Sequence, residues 1–434
     1  MYGREVPAYT TLVEVAHEVN ADVAAAQGAD AERLGSLDRV TAERHGAIRL
    51  GTPRELAQVA RIFGAMRMFP VGYYDLREAA PTPLPVVSTA FRPIAADELA
   101  RNPFRVFTSV LAVSDCRFFD ADLQRRLEQF LGERVLFSDE LLALADRAEA
   151  DGGLAAADAD RFVELATWAF ELSREPIDED WYRELERISA VAADIGGVGS
   201  THINHLTPRV LDIDALYARM QARGIEMIDA IQGPPRFDGP AVLLRQTSFR
   251  ALAEPRAFRR ADGSLHESSL RVRFGEVEAR GVALTPAGRT LYDELRAEKA
   301  DAQRWSERFG RTERELAVAD LAFFTFEAAR SPHPDRAAPP SNVAGLIDGG
   351  WVTAHPIVYE DFLPASAAGI FQSNLTESGA HDASVQGAAL DADWMAGVLD
   401  RELLNPFELY ADQREHSLDA VRRVLGPDSH LSWS

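Results

Sequence analysis

The chain of 434 residues carries 68 acidic against 46 basic side chains, a formal charge of −22, with 46% hydrophobic and 26% charged residues. This balance supplies core material for several domain-sized units and excludes nucleic acid and anionic membranes as expected partners, while a few buried arginines can still reverse the field around a small anion. The single cysteine, Cys116, rules out an intramolecular disulfide and thiolate metal sites; the absence of a membrane-length apolar run and of a signal-type N-terminus makes the cytoplasm the expected compartment.

In chain order, residues 8–35 read as a polar amphipathic helix with an Ala-rich middle, within an N-terminal segment 1–40. A first unit, 41–116, opens with a short strand at 45–50. Thr52-Pro53-Arg54-Glu55 is a capping box with Pro at the first helical position, predicting a helix to about Met66. Strand-like runs follow at 70–76, 86–93 and 104–113, giving the order βαβββ. Segment 117–197 has apolar residues spaced near 3.6 and is expected to be an inserted helical subdomain, with a turn or loop at DGGLAAADAD.

The second unit, 198–285, repeats the order. A strand is expected at 202–210, then a helix at 213–223 with Asp212 as N-cap and Gly224 ending it. Strands at 226–231, 241–252 and 269–281 complete a second βαβββ module. A pattern that occurs twice is a stronger fold signal than any single element. Segment 286–434 reads as a helical C-terminal region, interrupted by a Pro-rich loop at 331–341 and an apolar block at 351–375.

Three residues stand at related places in the duplicated pattern. His45 opens HGAIRLG and His205 opens HLTPRVL, each with an arginine four residues on, Arg49 and Arg209. Glu276 lies in RFGEVEARG on the last strand of the second unit. Two imidazoles and one carboxylate form the facial donor set that holds one Fe(II) and leaves positions for substrate and oxygen. His202 and Glu278 are rivals for the same roles. His202 is an odd step from His205, so a strand points the two to opposite faces, whereas Glu278 shares a face with Glu276. The last strand of the first unit offers no imidazole or carboxylate where the second has Glu276. Taken alone, each of these side chains is also compatible with a hydrogen-bonded structural role.

RHGAIRLGT, RMFPVGYYDL, STAFRP, INHLTPRVLDID, LLRQTSFRAL, RFGEVEARGVALTPAGR and LPASAAGIFQSNL together resemble the 2-oxoadipate dioxygenase/decarboxylase family, also called hydroxyglutarate synthase, of the vicinal oxygen chelate superfamily. The resemblance covers roughly residues 40–375. It implies an α+β fold of paired βαβββ modules forming a vicinal-oxygen-chelate-type β-barrel. It also implies an Fe(II) site of two His and one Glu, and conversion of 2-oxoadipate and O2 to 2-hydroxyglutarate and CO2 in lysine breakdown.

Residue by residue, the family's first His and its Arg match His45 and Arg49. The second His falls in THINHLTPR, where the arginine offset favours His205. The Glu falls in FGEVEARG, where similarity to the ligand strand of hydroxyphenylpyruvate-type dioxygenases favours Glu276. A small apolar residue followed by Ser matches Ala365-Ser366, expected to contact substrate. Arg49, four residues from His45 and on the same strand face, is expected to bind the distal carboxylate with its two-pronged guanidinium. Gln246, in a polar run within apolar sequence, is a further candidate for orienting the oxo acid. Tyr73, Tyr74, Ser88, Thr89 and Arg92 are weaker candidates of the same kind. Competing expectations are a metal-dependent lyase, isomerase or hydrolase on the same fold, and a non-catalytic metabolite-binding protein. A monomer and a homodimer are both compatible with the sequence.

Overall fold

The capping box forms as its spacing predicts. The Thr52 hydroxyl accepts from the Glu55 amide at 3.1 Å, the Glu55 carboxylate accepts from the Thr52 amide at 3.1 Å, and the helix Pro53–Ala65 follows. The same carboxylate receives two bonds from Arg134, at 2.6 and 2.8 Å, so this helix start is tied to the helical insertion. These features belong to a computed structural model that describes residues 1–79, 82–251, 254–270, 273–329, 339–363 and 387–425.

The described strands are β1 (Arg44–Leu50), β2 (Phe69–Asp75), β3 (Val86–Arg92), β4 (Phe104–Leu111), β5 (Ile177–Asp178), β6 (Ile203–Pro208), β7 (Leu244–Ser248), β8 (Glu254–Arg259), β9 (Leu265–Leu270), β10 (Glu276–Arg280), β11 (Phe324–Ala328) and β12 (Val352–Pro356). The main sheet has the order β2-β3-β4-β1-β6. Within the first module β1 runs parallel to β4, and the second module joins through the antiparallel β1–β6 pair. In the second module β10 pairs antiparallel with β7 and meets the end of β6 through a parallel bridge between Arg209 and Glu278. First and last strands therefore lie side by side in both modules, as a duplicated βαβββ unit requires.

The α+β class with paired modules holds, and three details differ from expectation. First, the described strands form open sheets rather than a closed barrel. β6 ends at Pro208, which has no amide to donate, and one bond from the Val210 amide to the Glu278 carbonyl, at 2.8 Å, continues the contact. The far edge, β2, is covered by the C-terminal region, where the Gly72 amide donates to the Leu404 carbonyl at 2.9 Å and the Leu404 amide donates to the Pro70 carbonyl at 3.0 Å. A covered edge is not available for closure.

Second, the expected strand at 226–231 is reduced to a bridge from Met227, with another from Gln232 just beyond it, and the expected strand at 269–281 divides. Its first part belongs to β9, which pairs with β8 as a hairpin inserted between β7 and β10. Third, the C-terminal region is not all helical: β11 and β12 form an antiparallel pair, packed by the helix Pro406–Leu425.

Every residue of β3 is buried, and nearly every residue of β1 and β4. Helices cover both sides of the sheet. Ile48 and Leu50 pack outward against Leu56, Val59 and Phe63 of the helix Pro53–Ala65. Ala47 and Phe107 face the opposite core with Leu12, Val15 and Val19 of the helix Pro7–Gln27. The insertion is helical, with helices Ala121–Glu133, Asp139–Asp151, Ala156–Ala169, Glu179–Glu186 and Ala190–Gly196. Gly152, at φ 73°, ends the second of them in the left-handed region that glycine adopts readily. A separate core around Trp305, Phe309 and Phe324 holds the C-terminal region. Among the described residues no helix is long and apolar enough to cross a membrane.

Candidate metal centre

Strand alternation puts His45, Ala47 and Arg49 on one face of β1. In the antiparallel register Ala47 faces His205 and His45 faces Thr207, so the two imidazoles are diagonal neighbours. Their rings meet edge to face with centroids 5.6 Å apart. The parallel bridge to β10 then brings Glu276 alongside. Its Oε2 lies 3.3 Å from His205 Nε2 and 3.6 Å from His45 Nε2. One donor atom from each of His45, His205 and Glu276 falls within 4.8 Å of the others, and all three residues are buried.

The rivals separate in space. His202 points to another group: its Nε2 lies 3.6 Å from Asp194 Oδ1 and 3.1 Å from Asn204 Nδ2. Glu278 keeps the face of Glu276 but approaches the other nitrogen of His45, with Oε2 3.1 Å from Nδ1. Arg280 grips Glu278 with two bonds of 2.6 and 3.0 Å.

The donor chemistry fits a divalent cation. Burial would lower the His45 pKa, but Glu278 and Glu276 outweigh it and raise it to about 9. The carboxylates thus hold a positive charge at this point, and a bound metal would take the place of that proton. Burial, with help from the cationic His45 and Arg49, drives His205 well below its usual value, so it is neutral and able to donate a lone pair. Burial also raises Glu276, against the pull of His45. Aromatic rings wall the group. Phe362 meets His45 edge-on at 5.0 Å, and Phe274 stacks on His205 at 5.1 Å.

Arg49 is buried beside this group, and its Nη1 donates to Asp194 Oδ2 at 2.5 Å. Asp194, on the helix Ala190–Gly196, also accepts from Asn204 Nδ2 at 2.8 Å. Burial would raise Asp194, but His202 and Arg49 hold it below the usual carboxylate range. Burial pushes His202 down to about 4. Gln246 sits on β7 opposite Glu278, with its side chain buried on the inner face. Ala365 and Ser366 lie outside the described residues.

The weaker candidates have structural partners. The Ser88 and Ser109 hydroxyls are 2.8 Å apart, Thr89 donates to the Gly72 carbonyl at 2.7 Å, and Tyr73 donates to the Leu390 carbonyl. Arg92 clamps Asp361 at 2.7 and 3.2 Å, and the Tyr74 hydroxyl receives the Phe362 amide at 3.4 Å. Arg209 is structural, bonded to Glu43 at 3.1 Å and to the Leu34 carbonyl at 2.8 Å.

Several residues at the site carry no clear sequence signal. Asp194 lies in an Ala/Gly-rich helix of the insertion, outside both module patterns, and Phe362 reaches His45 across more than 300 positions. The alternation Glu276-Val277-Glu278-Ala279-Arg280 does mark one face of a strand, and with it the Glu278–Arg280 pair.

A model of the 2-oxoadipate dioxygenase/decarboxylase family matches residues 1–374. The chain is 58% identical over 410 residues to the 2-oxoadipate dioxygenase/decarboxylase of Mycobacterium bovis, covering 94% of this chain and 92% of that one. It is 41% identical over 450 residues to the enzyme of the same name from Pseudomonas putida, covering 98% and 94%. The crystal structure of the Pseudomonas putida hydroxyglutarate synthase in complex with 2-oxoadipate is similar, with a TM-score of 0.84 at 38% identity, over 98% of this chain and 95% of that chain.

Proposed function

The chain belongs to the 2-oxoadipate dioxygenase/decarboxylase family, and we propose that it is an Fe(II)-dependent dioxygenase that converts 2-oxoadipate and O2 to 2-hydroxyglutarate and CO2. The observation that carries this reading is the buried convergence of His45, His205 and Glu276, with the Arg49 guanidinium beside it. The balance closes without a second oxo acid. Loss of C1 as CO2 leaves a five-carbon diacid, one oxygen atom enters its new carboxylate, and the other enters the adjacent C–H bond as the hydroxyl.

His45 and His205 through Nε2, and Glu276 through a carboxylate oxygen, would hold the metal on one face. Iron bound there supplies dioxygen activation and a Lewis-acidic anchor for the 2-oxo acid. The chain's own residues do the rest. Arg49 takes the distal carboxylate, and Asp194 fixes the plane of that guanidinium. This favours a diacid over a monoacid, because a charged donor held toward the distal carboxylate gains its bond only from a substrate that carries one. Gln246, Ala365 and Ser366 are proposed to contact the substrate. Phe274 and Phe362 keep water from the imidazoles, which strengthens every charge interaction within.

The test is reconstitution with Fe(II) under anaerobic conditions, followed by 2-oxoadipate and oxygen. One O2 consumed per CO2 released, with 2-hydroxyglutarate as product, is expected. Metal-dependent turnover of 2-oxoadipate without O2 uptake would place the chemistry among lyases, isomerases or hydrolases instead.

A further inference from the structure

We infer that Glu278 is the positioning residue of His45: its carboxylate accepts the Nδ1 proton and thereby commits Nε2 to the metal. The inference rests on the proposed metal site. A neutral imidazole exists as two tautomers, and only the nitrogen without the proton can bind a cation. Glu278 Oε2 stands 3.1 Å from Nδ1, while Nε2 faces Glu276. The two carboxylates, two residues apart on β10, thus address opposite nitrogens of one ring.

Glu278 is held too firmly to act as a stray rival ligand. Arg280 Nε and Nη2 donate to its two oxygens at 2.6 and 3.0 Å. Arg280 in turn donates from Nη1 to the carbonyls of Tyr359 and Asp361, at 2.8 and 3.0 Å. Phe362, the next residue, packs edge-on against His45. One guanidinium therefore fixes both the carboxylate below the ring and the backbone that carries the ring's aromatic neighbour. A carboxylate behind a metal-bound imidazole orients the ring and raises its basicity, and its loss typically weakens metal binding roughly 10- to 100-fold.

Two measurements test this. In the wild-type protein loaded with Zn(II) and labelled with 15N-histidine, NMR of the ring nitrogens should show His45 bound through Nε2 with a proton on Nδ1. Binding through Nδ1 overturns the positioning role but leaves the site standing; no metal shift at either nitrogen of His45 overturns the site and the inference with it. In Co(II) titrations, Glu278→Ala should bind roughly 10- to 100-fold more weakly with an altered absorption spectrum, and Glu278→Gln, whose amide oxygen can still accept from Nδ1, should fall between. Affinity within twofold of wild type and an unchanged spectrum in both variants would overturn the inference. Both variants leave Arg280 less well paired, so circular dichroism and the denaturation midpoint accompany each titration, and the wild-type NMR result stands whether or not they fold.

Discussion

The Arg49 guanidinium and the Asp194 carboxylate form a buried ion pair in which Nη1 and Oδ2 are 2.5 Å apart, and Asn204 fastens the same carboxylate oxygen from the other side at 2.8 Å. The arginine expected to bind the substrate's distal carboxylate is therefore preset by a carboxylate from the inserted helices. A preset donor loses less freedom on binding than a mobile one, so the pair supports selection for a diacid.

Arg49→Lys is expected to lower kcat/KM for 2-oxoadipate by roughly ten- to a hundredfold, the value of about 1.5–3 kcal/mol for hydrogen bonds to a charged group. A lysine is a point charge and cannot span Asp194 and a substrate carboxylate together. A monocarboxylate oxo acid should lose much less. Steady-state kinetics with both substrates decide it, and equal losses on the two would argue against a distal-carboxylate role.

His205→Ala and Glu276→Gln are expected to purify with bound iron well below one equivalent after reconstitution, while His202→Gln retains it. The contrast follows from geometry, since His202 turns to Asp194 and Asn204 rather than to the group of three. Metal analysis of the desalted proteins checks it. Retention of full stoichiometry by His205→Ala would dismiss the assigned donor set.

Acid should weaken the fold through Glu360. Burial alone would raise its pKa, but Arg105 and Arg39 hold it well below the usual carboxylate range. With the folded value depressed, its stabilising contribution is complete above the unfolded value of about 4.3 and is lost as pH falls toward the folded one. Urea midpoints measured from pH 7 to pH 3 should fall more steeply in wild type than in Glu360→Gln. Parallel curves would show that this carboxylate contributes nothing to the acid transition.

Gly275→Ala is expected to destabilise by about 1–3 kcal/mol and to weaken metal binding at the same time. A Cβ at position 275 would stand 2.1 Å from the buried Phe249 ring, and Phe249 has little room to move. The strain falls on the residue preceding Glu276. A denaturation midpoint together with a Co(II) titration reads both effects, and an unperturbed midpoint would show that the ring can yield.

The sequence by itself determined the duplicated module order, because period-two runs, one capping box and the N-cap Asp212 are local signals read within a few residues. It also marked the candidate donors and their rivals, since a repeated His-x3-Arg and a strand of alternating Glu are visible without a fold. What local signals could not decide was which of His202 and His205 turns inward. Strand parity separated the two side chains, but only the β1–β6 register, with Ala47 opposite His205, sets His205 beside His45.

The tertiary structure also decided the placement of Glu278, Asp194 and Phe362. Glu276 and Glu278 share a strand face, so parity cannot rank them; their separation depends on which nitrogen of His45 each meets, a matter of ring orientation across two modules. Asp194 and Phe362 come from segments that carry no module pattern, and long-range packing alone brings them to Arg49 and His45. The open edge of the sheet is a result of the same kind. Each strand's alternation was compatible with a barrel, but pairing at an edge is settled by competition in space, and there residues around Leu404 take up the β2 edge.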